Sequence, residues 1–426
     1  MTMNYSQAIR ELESLGVFPD RVPSLEPTRR ALEHSGFLKK LDPSRVVVVA
    51  GTNGKGSTCS ALDALFRHAG VRAGLYTSPH LVQTTERIRI LGEDVSQVAF
   101  VEHYERVKPF ISMFGLTHFE ALTIMAVSVF VEHELDWMVF EIGLGGIWDA
   151  TNAIPHDHCV MTPIDYDHQN LLGATLVEIA ANKFGIVGQG SRVVYAPLAS
   201  EIQTLQREVR SRTGSEWLLR EDFGFRAEAR AAGEPHFFIS FRGREVRLEL
   251  AGRRGAENAA LALTVFSSLG FNPMLHLEAL LQVRWPGRME RLEVPGSPCP
   301  VYGSGDHNPQ GVESLVALLD VYSRKHTHFI LGLGRDKDWA TVLEKIAAIP
   351  DSSFYLTETP FKGLPIDGYG SWNAKARGSW ADPLEALDEV IRGFARVGDL
   401  VIVTGSLYLV GKIKAHYSAV SAATPS

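Results

Sequence analysis

The run Val46-Val-Val-Val-Ala-Gly51-Thr-Asn-Gly-Lys55-Gly-Ser57-Thr58 carries the residue types that hold a nucleotide. A β-branched strand empties into a turn of Gly51, Thr52, Asn53, Gly54, Lys55 and Gly56, and the hydroxyls of Ser57 and Thr58 follow. Glycines let backbone N–H groups approach phosphate oxygens, a helix starting near Ser57 aims the positive end of its dipole at them, and Lys55 adds a point charge. A hydroxyl at the helix start can hold the Mg²⁺ that travels with a nucleotide. The strict P-loop pattern wants Ser or Thr directly after Gly-Lys and a glycine five positions before the second one. Here Gly56 intervenes and Val49 stands at the glycine position, which marks a subtype. Ala61, Leu62, Leu65 and Phe66 give the helix its buried stripe.

Such a cradle needs a sheet beneath it. With 426 residues, 45% apolar and 21% charged, the chain has room for two or three globular domains. Its formal charge of −7 argues against a general affinity for nucleic acid, and no apolar run is long enough to span a bilayer, so no membrane role is expected. The polar, amphipathic start lacks the pattern of a secretion signal, and a cytoplasmic protein is expected. Cys59, Cys159 and Cys299 are widely spaced, without a CxxC pattern or His partners at ligand spacing, and read as buried thiols.

Apolar runs at 45–50, 73–77, 137–142, 159–164 and 193–196 read as buried strands of a mainly parallel sheet, with helices over 5–15, 120–132 and 176–183 between them. The alternating segments 236–241 and 245–250 flank Arg242-Gly243-Arg244 as a hairpin, a small β appendage before a helix beginning near Glu257. The Pro/Gly punctuation from Trp285 to Pro298 sets a boundary near 294. The expected architecture is α/β: a P-loop domain over 1–293, then a smaller Rossmann-like domain over 294–426. The latter has strands at 329–333, 353–356 and 399–404 and helices at 309–324, 339–348 and 383–396. Gly332-Leu-Gly334 lacks the third glycine of a dinucleotide fingerprint, and only the tail after Ser418 reads as frayed.

Read in order, Gly51-Thr-Asn-Gly-Lys-Gly-Ser57, Thr77-Ser-Pro-His80 with Glu86-Arg87-Ile88, Glu141-Ile-Gly-Leu-Gly-Gly146 with Asp149-Ala-Thr-Asn152, Asp167-His168 and Asn182-Lys183-Phe-Gly-Ile186 are followed by Trp285-Pro-Gly-Arg288, His307-Asn-Pro309, Asp336-Lys-Asp338 and Thr404-Gly-Ser-Leu-Tyr-Leu-Val-Gly411. This series resembles the folylpolyglutamate synthase/dihydrofolate synthase family of the Mur ligase group over essentially the whole chain. The resemblance implies an ATP-dependent ligase that adds L-glutamate to dihydropteroate or to reduced folates. A carboxylate is a poor acylating agent, so such enzymes first make it an acyl phosphate with the γ-phosphoryl of ATP, and an amino group then attacks. By the same resemblance Lys55 and the loop amides hold the β- and γ-phosphates, Ser57 and Glu141 one Mg²⁺, and Glu141 with His168 a second. Lys183 matches a lysine that the family carries as a carbamate.

The implied acceptor site has the pterin near Thr117, Phe119, Asp149 and Ala150, where an aromatic can stack and a carboxylate can pair with the amino-pyrimidine edge. Ser78, Pro79 and His80, with Glu86 and Arg87, shape the same cleft. Asn258, Arg288 and His307 match positions near ATP, the incoming amino acid is expected between the domains, and the family implies a monomer. Three departures bear on this. The family's acid for the nucleotide ribose is Ser304 here, with Asp306 two residues on. The family's His-Gln before Asn258 is Arg254-Gly255, and its Gly-Gly-Arg becomes Gly146-Ile147. The segment 17–26 differs too. A ligase acting on another carboxylate, and a nucleotide-binding protein without catalysis, remain alternatives.

Overall fold

The computed structural model describes residues 3–16, 21–219, 223–230 and 234–423. Of the departing segment 17–26, residues 17–20 lie outside that set. The chain packs as two units: Met1–Gly224, Ile239–Val246 and Glu257–Val283 in one, Phe225–Phe238, Arg247–Ala256 and Arg284–Ser426 in the other.

The first unit is built on eight strands, β1 (Val46–Ala50), β2 (Ala73–Tyr76), β3 (Ile88–Ile90), β4 (Glu93–Asp94), β5 (Trp137–Glu141), β6 (His158–Met161), β7 (Arg192–Tyr195) and β8 (Ser215–Leu218), in the order β4-β3-β2-β5-β1-β6-β7-β8. All neighbouring pairs are parallel except β2–β3 and β3–β4 at one edge, which are antiparallel. Every residue of β1 is wholly buried, as a run of β-branched side chains covered on both faces requires. The connection from β1 runs to β2 toward one edge, whereas that from its neighbour β6 runs to β7 toward the other. The loops at the carboxyl end of β1 therefore border the crevice where open α/β sheets bind ligands.

The helix Lys55–His68 begins two residues earlier than its sequence pattern indicates. Gly54, with φ at +86°, takes the capping position and turns the chain into the helix at once. Phe66, near its other end, stacks on Trp137 at 5.4 Å and meets Phe266 edge-on at 5.7 Å. Phe266 lies on the helix Gly252–Ser268, which starts five residues before the expected Glu257. The apolar helix His118–Glu132 is capped by Thr117, whose hydroxyl and backbone N–H engage Glu120; Arg21 pairs with that carboxylate at 2.8 Å.

A small sheet runs in the order β11-β10-β9, from β9 (Phe223–Glu228), β10 (His236–Phe241) and β11 (Arg244–Leu248). The expected hairpin is there, with β9 as an additional strand. The six-stranded sheet of the second unit takes β12 (Glu290–Leu292), β13 (Val301–Ser304), β14 (Thr327–Leu331), β15 (Ser352–Thr357), β16 (Ser379–Trp380) and β17 (Leu400–Thr404) in the order β12-β13-β17-β14-β15-β16. Two of its helices differ from their sequence bounds. Pro309–Leu319 stops five residues early, and Pro383–Glu389 passes into a π-turn over Val390–Phe394. The last helix, Leu407–Ala423, extends past Ser418, where fraying was expected. Among the described residues no helix is long and apolar enough to cross a membrane. All three cysteines are buried free thiols, and burial pushes the Cys159 thiol up to about 12.

Candidate functional site

The turn after β1 is fixed by tight packing. Gly51 has φ at +145°, and a Cβ there would stand 1.9 Å from Thr162 Oγ1; at Gly54 one would stand 2.2 Å from Asn258 Oδ1. No other residue type fits either position without moving a neighbour. Thr52 is tied to the loop after β6: its N–H donates to the Pro163 carbonyl at 2.9 Å, its hydroxyl donates to the Asp165 carbonyl at 2.9 Å and accepts from the Asp165 N–H at 3.0 Å. Gly56 and Ser57 lie buried in the first helical turn. Thr58 points into the core instead, and its hydroxyl has no partner among the described residues.

Two ammonium groups converge on one carbonyl of this turn. Lys55 Nζ donates to Gly51 O at 3.2 Å and to Thr52 O at 3.2 Å, and Lys183 Nζ donates to the same Gly51 O at 3.0 Å. Lys183 is 96% buried at the end of the helix Leu176–Lys183, where a lone lysine is ordinarily solvated. Gly146 lets that helix end come close: a Cβ there would lie 2.7 Å from both the Asn182 and Lys183 carbonyls. Two like charges this near each other repel in a water-poor setting.

Glu141 ends β5 directly across from Val49 of β1, which sets its buried carboxylate beside the turn. Its Oε2 accepts the Ser78 N–H at 3.0 Å, next to the cis Ser78–Pro79 bond. His168 lies on the loop after β6 in a left-handed conformation, φ +50°, with its N–H donated to Asp167 Oδ1 at 2.9 Å. Among the described residues no three His, Cys, Asp or Glu side chains gather into a cage. A divalent cation that completes its shell with water and phosphate oxygens fits such a donor set, because Ser57 and Glu141 offer hard oxygens and His168 one nitrogen.

The expected acceptor residues are each held by packing or by local hydrogen bonds. The Phe119 ring lies 5.8 Å from that of Tyr76 at the end of β2. Asp149 is buried, and its oxygens are engaged within its own loop: Oδ1 by the Thr151 N–H and hydroxyl at 3.0 and 2.6 Å, Oδ2 by the Leu144 N–H at 2.9 Å. Burial holds its carboxyl above the usual range. The carboxylate thus locks the loop between Gly143 and Ala153, with Ala150 buried in the turn it caps. Thr117 is occupied as a helix cap.

In the second unit the strand-end residues form their own cluster. Ser304 ends β13 and donates its hydroxyl to Asp306 Oδ2 at 2.6 Å, while accepting the Met289 N–H at 3.3 Å. The Asp306 carbonyl accepts from Gly405 N–H at 3.0 Å and from the Thr404 hydroxyl at 3.2 Å. Arg288 lies against Gly305, whose Cβ would be 2.6 Å from Nη1, and His307 Nδ1 is 3.0 Å from Gly305 O. Asn308 caps the helix that follows.

Residues 287–407 match the family model for the Mur ligase glutamate ligase domain. Over 97% of its length the chain is 31% identical to the folylpolyglutamate synthase of Lacticaseibacillus casei, covering 98% of that protein. The chain belongs to the folylpolyglutamate synthase/dihydrofolate synthase family. Members are ATP-dependent ligases of the Mur ligase superfamily. Mycobacterium tuberculosis folylpolyglutamate synthase, solved with ADP, superposes with a TM-score of 0.84 at 27% identity, covering 97% of this chain and 98% of that one. A bifunctional folylpolyglutamate synthase/dihydrofolate synthase solved with Mn, AMPPNP and L-glutamate gives 0.82 at 26%, covering 98% of each. An α/β architecture with a parallel-rich first sheet and a smaller second one is common to these family members.

Sequence reasoning missed Thr162, Asp165 and the backbone of Ser78, which fix the turn after β1 and the Glu141 carboxylate. Thr162 and Asp165 follow the carboxyl end of β6, the strand beside β1, and that placement was the available signal.

Proposed function

We propose that this chain joins L-glutamate to a folate-type acid, dihydropteroate or a reduced folate, with ATP and Mg²⁺. The convergence of Lys55 and Lys183 on the Gly51 carbonyl, one strand away from Glu141, supports this most directly. Lys55 and the amides of residues 51–57 receive the β- and γ-phosphates, and Asn258, packed on Gly54, borders them. Mg²⁺ bound by Ser57, Glu141 and His168 would neutralise phosphate charge and polarise the γ-phosphoryl group.

The acceptor carboxylate attacks that phosphorus, ADP leaves, and the acyl phosphate then carries an activated carbonyl. The amine of L-glutamate adds to it, phosphate departs, and the ammonium proton is released. Positioning supplies most of the rate, so each group must be held before reaction. Ser78 donates to Glu141 and holds its carboxylate in place. Carbamylation of Lys183, in which the neutral amine adds to CO2 and releases a proton, would replace one of two neighbouring cations by an anion and leave an N–H able to keep the bond to Gly51 O. In the second unit, Asp306, oriented by Ser304, takes the ribose hydroxyls, with Arg288 and His307 beside it.

The test is ADP release on mixing with Mg²⁺-ATP, L-glutamate and dihydropteroate or tetrahydrofolate. Release that depends on the folate-type acid is the expected result; equal release without it refutes the reading. The departures at Ser304 and at Arg254-Gly255 favour, as second reading, a ligase for another carboxylate, and an acceptor panel in the same assay separates the two.

A further inference from the structure

Arg87 is 93% buried, and among the described residues no carboxylate forms an ion pair with it. Its Nε donates to His80 Nδ1 at 3.0 Å, the guanidinium also reaches the Tyr76 hydroxyl, and His118 lies near enough to feel its charge. Glu86, adjacent in sequence, is occupied elsewhere: its two oxygens accept the N–H groups of Leu81, Val82 and Gln83 at 2.7 to 2.9 Å. A buried guanidinium without a counter-ion is costly, and a fork of N–H donors matches a carboxylate in plane and spacing.

His80 extends the donor set. Because Nδ1 accepts from Arg87, the proton of the neutral ring resides on Nε2, and burial together with the Arg87 charge pushes the imidazole down to about 3, so the ring stays neutral. Two residues before it, Ser78 holds Glu141.

We propose that Arg87 and His80 form a carboxylate-binding pair for the acceptor, holding a carboxylate that does not react. The proposal rests on the folate reading and sharpens it. Dihydropteroate has a single carboxylate, the one activated. A folate has two on its terminal glutamate, so one is left over and needs a cationic partner. The pair would then serve the addition of glutamate to folates and be dispensable for addition to dihydropteroate.

The experiment compares kcat/KM for dihydropteroate and for tetrahydrofolate, with ATP and L-glutamate saturating, in the wild type, Arg87→Gln, Arg87→Lys and His80→Gln, with thermal melts to verify folding. Arg87→Gln is expected to lower the tetrahydrofolate value by about 30-fold, chiefly through KM, and the dihydropteroate value by less than about threefold, as for loss of a charge-assisted bond to one substrate only. Arg87→Lys keeps the charge without the fork and should fall between. Equal losses on both acids, no loss on either, or a wild type that uses dihydropteroate but not tetrahydrofolate overturns the proposal. If the wild type uses neither acid, the folate reading fails separately. Calorimetry with N-benzoylglutamate and benzoate then decides: a preference for the dicarboxylate that Arg87→Gln abolishes upholds the pair, and its absence refutes it.

Discussion

The strand-end loops of the two units solve different problems. In the first, the turn from Gly51 to Gly54 owes its shape to backbone: positive φ angles, carbonyls that accept from Lys55 and Lys183, and a threonine clamp on Asp165. In the second, the loop from Ser304 to Asn308 is shaped by side chains, a hydroxyl on a carboxylate and an Asn cap. Backbone geometry tolerates almost no substitution, because any side chain collides. A pair of side chains can be exchanged for another pair of similar reach.

The comparison breaks most readily at the first loop. Lys55→Ala removes an ammonium charge from the turn and Glu141→Ala the carboxylate beside it, and each should lower turnover by roughly 10³-fold, measured as acid-dependent ADP release. Near-normal rates would show that this loop is not the reacting centre. Lys183→Ala should lose a comparable amount, and if the side chain is a carbamate, added acetate should restore part of it; an unmodified amine in the mass of an active preparation would refute the carbamate.

Gly54→Ala probes backbone against side chain. The left-handed φ costs a non-glycine residue about 1–2 kcal/mol, and the new Cβ strikes Asn258. We expect a lower melting midpoint and roughly tenfold weaker kcat/KM for ATP. The double variant with Asn258→Ala should recover stability in part, and an unaltered melt in the single variant would contradict the geometry.

The second loop should yield more gently. Asp306→Ala is expected to raise the KM for ATP about tenfold, since a charged hydrogen bond is worth roughly 1.5–3 kcal/mol. Ser304→Ala should raise it less, because the hydroxyl only orients the carboxylate. A larger effect from Ser304→Ala would reverse these roles.

The smallest effect is one of pH. His103 is buried between two helices of the first unit, 2.9 Å from the Ser128 hydroxyl, and burial pushes its imidazole from 6.5 down to about 4. The native state therefore resists a proton that the unfolded chain takes up. The stability this group contributes is present above pH 6.5 and is lost as pH falls toward 4. His103→Gln should flatten that part of the melting-temperature profile, and an unchanged slope would contradict the assignment.

Much of the fold was legible because period and punctuation are local. Strands β1, β2, β5, β6 and β7 fall within a few residues of their apolar runs, and the second unit's three central strands do the same. The edge strands β3, β4 and β8 were not: short, half-exposed runs carry no alternation long enough to read. Helix ends drifted where a glycine or a π-turn, rather than hydrophobic pattern, set the stop.

By itself the sequence determined the order of the chemistry-bearing motifs, and with it the family and reaction class. Which side chains those motifs leave open to a ligand was decided by packing. Asp149 reads as a substrate-facing carboxylate and turns out to hold its own loop, whereas Arg87 reads as a minor neighbour and emerges as a buried cation that no carboxylate pairs with among the described residues. The physical reason is that a hydrogen-bonding group faces a ligand only if no nearer partner takes it, and those partners come from distant strands and loops that the sheet brings together.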